Sequence, residues 1–205
     1  MKRMTMYYSL IILSISLGHA QDSTSYQFLF SGKNTTQSGF GSFLISVGSL
    51  NGELSTLIGG GGGALINQRF FYGGYGMGLA GKIETEAISG EALAYQFKHG
   101  GIWLGYNFMP EKLVHFSVGI KAGWGRIRQS LLETPAEPSS LEFTDKIQVL
   151  MPEIMVQINL LEWFRLDIGA SYQGVLGIQP NDFYDDSDFN QFLGNVNLSF
   201  GWFTE

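Results

Sequence analysis

The chain contains no cysteine. Disulfides, thiol catalysis and zinc–thiolate centres are excluded together. Charge is also scarce. Asp, Glu, Lys and Arg make up 15% of the residues, against roughly a quarter in soluble domains. Basic residues are the rarer sign, 12 against 18 acidic, for a net charge of −6. That balance argues against nucleic acid or anionic lipid as a main partner, and no nucleic acid is expected. Beyond the N-terminus, no apolar run reaches the ~20 residues that a transmembrane helix needs. What is abundant is glycine, 28 residues, and aromatic side chains, 14%. Mean hydropathy is +0.07, far below that of a helical membrane protein. It suits strands in which every second residue is polar.

The first twenty residues read as a separate object. Lys2 and Arg3 form a positive start, residues 6–17 a short apolar run, and Gly18-His19-Ala20 a small-x-small cleavage site. Residues 1–20 are therefore expected to be a signal peptide, with Gln21 the mature start. Its removal leaves 10 basic against 18 acidic residues, a mature charge of −8. Residues 21–38 are expected to be an N-terminal arm, with residues 26–30 a candidate extra strand. Residues 39–203 are expected to be one β-domain.

That domain is organised around residues 101–124. One parity holds Ile102, Leu104, Tyr106 and Phe108, then Val114, Phe116, Val118, Ile120, Ala122 and Trp124. The other holds Gly101, Gly105, Asn107, His115, Ser117, Gly119, Lys121 and Gly123, with Trp103 and Leu113 its larger members. Alternation of this length marks strands whose two faces meet different surroundings. In a soluble sandwich the greasy face points inward. In a membrane barrel it points to lipid, and the small polar face lines the lumen.

Eight strands are expected, over about residues 40–49, 55–66, 70–81, 95–108, 113–127, 147–160, 163–174 and 192–203. The connections between them alternate in length. Residues 67–69, 109–112 and 161–162 are short. Residues 50–54, 82–94, 128–146 and 175–191 are longer and polar. Short periplasmic turns alternating with long outside loops are the habit of outer-membrane barrels. The expected fold is thus all-β: an eight-stranded antiparallel up-and-down transmembrane β-barrel.

Three stretches carry a resemblance: residues 100–108 followed by Pro110-Glu111-Lys112-Leu113 and His115-Phe116; Glu162-Trp163-Phe164-Arg165-Leu166; and residues 194–201. They resemble small outer-membrane β-barrel proteins of Gram-negative bacteria, of the OmpX and OmpA-barrel type. The resemblance implies location in the bacterial outer membrane. It also implies that architecture and no reaction; outer-membrane lipid and lipopolysaccharide are the expected partners, with an envelope or host-surface protein a further candidate.

Several constellations bear on chemistry. The run Gly59–Gly63 lacks the Lys-Ser/Thr of a phosphate-binding loop; it is expected to let a strand coil and to clear space in a crowded lumen. His115 and Ser117 have a His-x-Ser spacing that resembles outer-membrane lipid A deacylases. They fall beside a short turn on the lumenal parity, where packing is the simpler role. Lys121 and Glu153 lie on neighbouring strands at similar height and are expected to pair inside the barrel, extended by Arg165 and Asp167. Asp182, Asp185, Asp186 and Asp188 form an acidic outside loop without the Gly and Glu of an EF-hand; weak divalent-cation contact with lipopolysaccharide is its minor alternative. Phe70, Phe71, Tyr72, Tyr106, Phe108, Trp163, Phe164, Trp202 and Phe203 are expected to form an interfacial girdle. No cofactor and no metal site is expected. The function expected is a non-enzymatic barrel with a side-chain-filled lumen presenting outside loops. A lipid-modifying enzyme using His115 and Ser117, a narrow channel, and an exported soluble barrel with an apolar ligand are the alternatives.

Overall fold

Alternation dictates the architecture. The long strand Val114–Leu131 sends Val114, Phe116, Val118, Ile120 and Trp124 to one side and His115, Ser117 and Lys121 to the other. Such a ribbon buries only one face, so it must close on itself or stack on another sheet. Here it closes. The computed structural model describes residues 35–50, 53–81, 83–86, 92–131, 143–178 and 189–204. Its strands are β1 (Gln37–Leu50), β2 (Glu53–Ile66), β3 (Phe70–Leu79), β4 (Ile83–Glu86), β5 (Ala92–Phe108), β6 (Val114–Leu131), β7 (Phe143–Leu161), β8 (Phe164–Leu176) and β9 (Gln191–Gly201). Consecutive strands pair antiparallel except β3 and β4, β1 joins β9, and β3 joins β5. The result is a closed barrel of eight positions. The four-residue β4 continues the position of β3 along the far end of β5.

Closure carries a stagger. The cross-strand partners run from Ser38 through Leu65, Phe71, Gly105, Gly119, Glu153, Ser171 and Leu193 to Gly48. The path returns to β1 ten residues beyond its start. Such a shear tilts the strands by about 35–45°. On β6 the greasy stripe runs from Val114 to Trp124, which at ~3.4 Å per residue and that tilt stands about 26 Å tall. A transmembrane barrel needs an apolar band of about 25 Å.

The exterior settles which solvent each face meets. Ile102 is 52% exposed, Ile154 57% and Ile168 47%, while Lys121 and Glu153 are 3% and 7% exposed. The greasy stripe points out and the charges are sealed in, so the soluble-barrel alternative does not describe this molecule.

Four expectations need correction. The lumen is not uniformly small and polar. Its long-loop end is filled by Phe97, Ile127, Ile147, Val149, Val175 and Phe189, with Phe97 and Phe189 stacked at 5.9 Å. Phe71 and Phe203 turn inward rather than joining the girdle, because their parity is the lumenal one; Phe71 packs edge-on against Trp103. Leu113 is exposed in the β5–β6 turn instead of facing the lumen. Finally, residues 50–54 are no long loop: β1 and β2 stay paired through Leu50↔Glu53, so two residues make the connection. Elsewhere the sheet outruns the greasy stripe, and β5 pairs with β6 as far as Leu93↔Leu131.

Candidate functional site

Inside the barrel, ionisable groups converge in the lumen, and the site is built by parity. Trp103 on β5, Lys121 on β6 and Glu153 on β7 all lie on the inward set. Lys121 is the cross-strand partner of Met151 and Glu153 that of Gly119, so the two side chains are diagonal neighbours. The ammonium of Lys121 donates to Oε2 of Glu153. The indole N–H of Trp103 donates to Oε1 of the same carboxylate at 2.6 Å. The ammonium also sits 4.6 Å from the centre of the Trp103 ring, a cation–π contact. Two donors, one of them the ion-pair partner, thus hold one carboxylate at mid-barrel, where a lone charge would cost several kcal/mol.

Glycines make this crowding possible. A Cβ on Gly119 would stand 2.7 Å from Oε1 of Glu153, and one on Gly105 would stand 2.1 Å from the Phe71 ring. Of the five-glycine run, Gly61 faces the Trp103 ring, where a Cβ would come within 3.2 Å of it. The run is a recess for an aromatic ring and holds no phosphate loop.

Arg165 and Asp167 do not extend the Lys121–Glu153 pair; they form a separate polar layer nearer the short-turn end. Nε of Arg165 donates to Asn159 at 2.8 Å, and its guanidinium stacks on Phe203 at 4.1 Å. Asp167 accepts from Ser199 at 2.9 Å, and Ser199 shares a hydrogen bond with Ser42 at 2.7 Å. One layer further in, Ser46 donates to Asn195 and Asn195 to Ser171. Rungs of this kind stitch β1, β9 and β8 together from the inside. The space left amid these side chains is about 20 Å³, room for about one water.

His115 and Ser117 are both buried in the lumen wall. Nδ1 of His115 faces the Lys112 carbonyl at 3.1 Å, and among the described residues no hydrogen bond joins His115 to Ser117. The short-turn end is tied by amides. Asn159 donates to the carbonyls of Pro110 and Lys112, both at 2.9 Å. Nε2 of Gln68 lies 3.3 Å from Ser38 Oγ and from the Trp202 and Thr204 carbonyls. Asn67 and Gln68 adopt positive φ, 50° and 56°, the left-handed pair that turns a tight hairpin. Sequence reasoning missed Gln68, Asn159 and Trp103 as organising groups; Gln68 and Trp103 are buried and Asn159 is half-buried, and each bonds to groups at least 30 residues away. Among the described residues no cluster of three metal-ligating side chains occurs. Asp182, Asp185, Asp186 and Asp188, the signal peptide over residues 1–20 and the arm up to residue 34 lie outside the described residues.

No family model and no curated protein matches the sequence. Solved structures do. Neisserial surface protein A, NspA, superposes with a TM-score of 0.55 at 10% identity, over 82% of this chain and 99% of that one. Ail, the attachment invasion locus protein of Yersinia pestis, gives 0.47 at 16% identity over 81% and 97%. A major outer membrane protein of Thermus thermophilus gives 0.47 at 9% identity over 80% and 99%. The likeness to NspA fixes the fold as that of a small outer-membrane β-barrel.

Proposed function

We propose that the chain is a non-enzymatic protein of the bacterial outer membrane, a rigid sealed barrel that presents outside loops for envelope structure or interaction. The observation that carries this reading is the plugged lumen. The Lys121–Glu153–Trp103 cluster fills its middle, and Phe97, Ile127 and Phe189 fill its long-loop end. A filled lumen argues against a channel. The buried His115 and Ser117, unpaired with each other at the short-turn end, argue against a lipid A hydrolase, whose substrate lies in the opposite leaflet. The parts left to act are the exterior and the loops over residues 87–91, 132–142 and 179–188. Within the last of these, Asp182, Asp185, Asp186 and Asp188 supply acidic groups, with weak divalent-cation contact to neighbouring lipopolysaccharide as a minor role. Protease protection of that loop unchanged by EDTA would remove the minor role.

The test is lipid A mass spectrometry on cells that carry the wild-type chain, Ser117→Ala or no copy. The three spectra are expected to coincide. A species present with the wild type and absent with Ser117→Ala would overturn the non-enzymatic reading.

A further inference from the structure

Outside the barrel, one patch departs from the greasy stripe, and it lies toward the long loops. Across β5, β6 and β7 the lipid face presents Ile102, Ala122 and Leu150 in one row of direct partners. The next row toward the long loops holds Gly100, Trp124 and Gln148. The row after it is Lys98, Arg126 and Lys146, with Lys98 opposite Arg126 and Arg126 opposite Lys146. All three are exposed. Among the described residues no ion pair engages any of them. Three cations set side by side on a sheet repel one another, an arrangement that destabilises by itself. It becomes favourable where an anion covers it. The neighbouring surface is shaped as well as charged. Gly76 and Gly100 stand next to Trp124, and a groove of about 430 Å³ lies between Gly76, Trp124, Lys98 and Arg126. A Cβ on Gly76 would meet nothing within 4 Å, so the groove floor is open.

The order from greasy stripe to tryptophan to cations matches the order of a leaflet from acyl chain to interface to headgroup. We propose that Lys98, Arg126 and Lys146 bind the phosphate groups of lipopolysaccharide in the outer leaflet, with its sugar rings along the groove against Trp124. The cations supply charge-assisted bonds to phosphate oxygens, and the indole offers a flat apolar wall beside a polar edge. The net acidity of the chain does not oppose this, because charges more than about 8 Å away are largely screened at physiological salt. The groove selects a headgroup that carries sugar over a bare phosphodiester. This inference rests on the outer-membrane reading above.

The experiment uses the full mature chain, folded into phosphatidylcholine nanodiscs doped with bisphosphorylated lipid A or with phosphatidylglycerol. Retention of the doped lipid is measured for the wild type and for the triple variant Lys98→Gln/Arg126→Gln/Lys146→Gln. The wild type is expected to retain lipid A over phosphatidylglycerol, and the variant to lose lipid A affinity by on the order of a hundredfold. In pure phosphatidylcholine the variant is expected to be at least as heat-resistant as the wild type, since it has lost only repulsion. Should the triple variant fail to insert, Arg126→Gln alone is expected to weaken retention by about fivefold. Equal lipid A retention by wild type and variant would overturn the inference, as would equal retention of phosphatidylglycerol and lipid A by the wild type. A wild-type chain that never reaches a folded form in bilayers would overturn the outer-membrane reading, and this inference with it.

Discussion

At the scale of single residues, the lumen works by exclusion of alternatives. Glu153 has two donors and nothing else to pair with, so removing its charge leaves the Lys121 ammonium buried and alone. Glu153→Gln is expected to cost about 3–5 kcal/mol of unfolding free energy, measured by urea titration in lipid vesicles. Replacing both partners at once, as Lys121→Met/Glu153→Leu, is expected to be close to neutral, because two desolvation penalties vanish with the attraction. If the single variant were silent, the pair would be incidental to stability. Both members were legible in the sequence, since strand parity and distance from the short turns place them on one face at one height. Trp103 was visible only as a large residue on a small face. Its bond to Glu153, 50 positions further along the chain, depends on that stretch closing into adjacent positions, which no local pattern encodes.

Strands carry the next level of the account. Their outward set meets hydrocarbon, so a charge there should be penalised by depth. Ile154→Arg, at mid-strand on β7, is expected to lower the folding free energy into vesicles by about 2–4 kcal/mol. Leu54→Arg, at the long-loop edge of β2, is expected to cost about 1 kcal/mol or less. Equal penalties at the two sites would mean that the stripe does not face a bilayer. Alternation made strand faces readable, but strand ends were read where greasy residues stop. The ladder continues through Arg128, Gln129 and Thr144 because backbone pairing needs no apolar partner. The apolar plug was hidden for a related reason. In Ile147-Gln148-Val149-Leu150-Met151 the inward parity is wholly apolar while the outward one holds Gln148 and Leu150, so the greasy stripe cannot be assigned to one face there. One face meets lipid and the other meets the plug.

For the whole molecule, closure and filling act together. Eight strands enclose just enough space for side chains, and the cavity among Trp103, Glu153, Arg165 and Asp167 is about 20 Å³. The folded chain in planar bilayers is expected to show no steady single-channel conductance; reproducible unitary steps would contradict the sealed lumen. The barrel and its eight positions were legible because two patterns, parity and connection length, point the same way, although the β1–β2 connection broke the second of them. The basic row was not. Net charge averages over the chain, and Lys98, Arg126 and Lys146 become neighbours only through the register of three strands.

The central claim is that the greasy stripe faces acyl chains while the polar stripe is enclosed. The absence of cysteine lets this be read directly, one site at a time. Spin labels are attached to single Ile102→Cys, Val118→Cys, Ile154→Cys and Ile168→Cys variants in bilayers. Collision with oxygen, which concentrates in hydrocarbon, is then compared with collision with a water-soluble nickel chelate. All four positions should collide freely with oxygen and poorly with nickel. Labels immobilised and shielded from both, as in a protein core, or quenched by nickel would contradict the account.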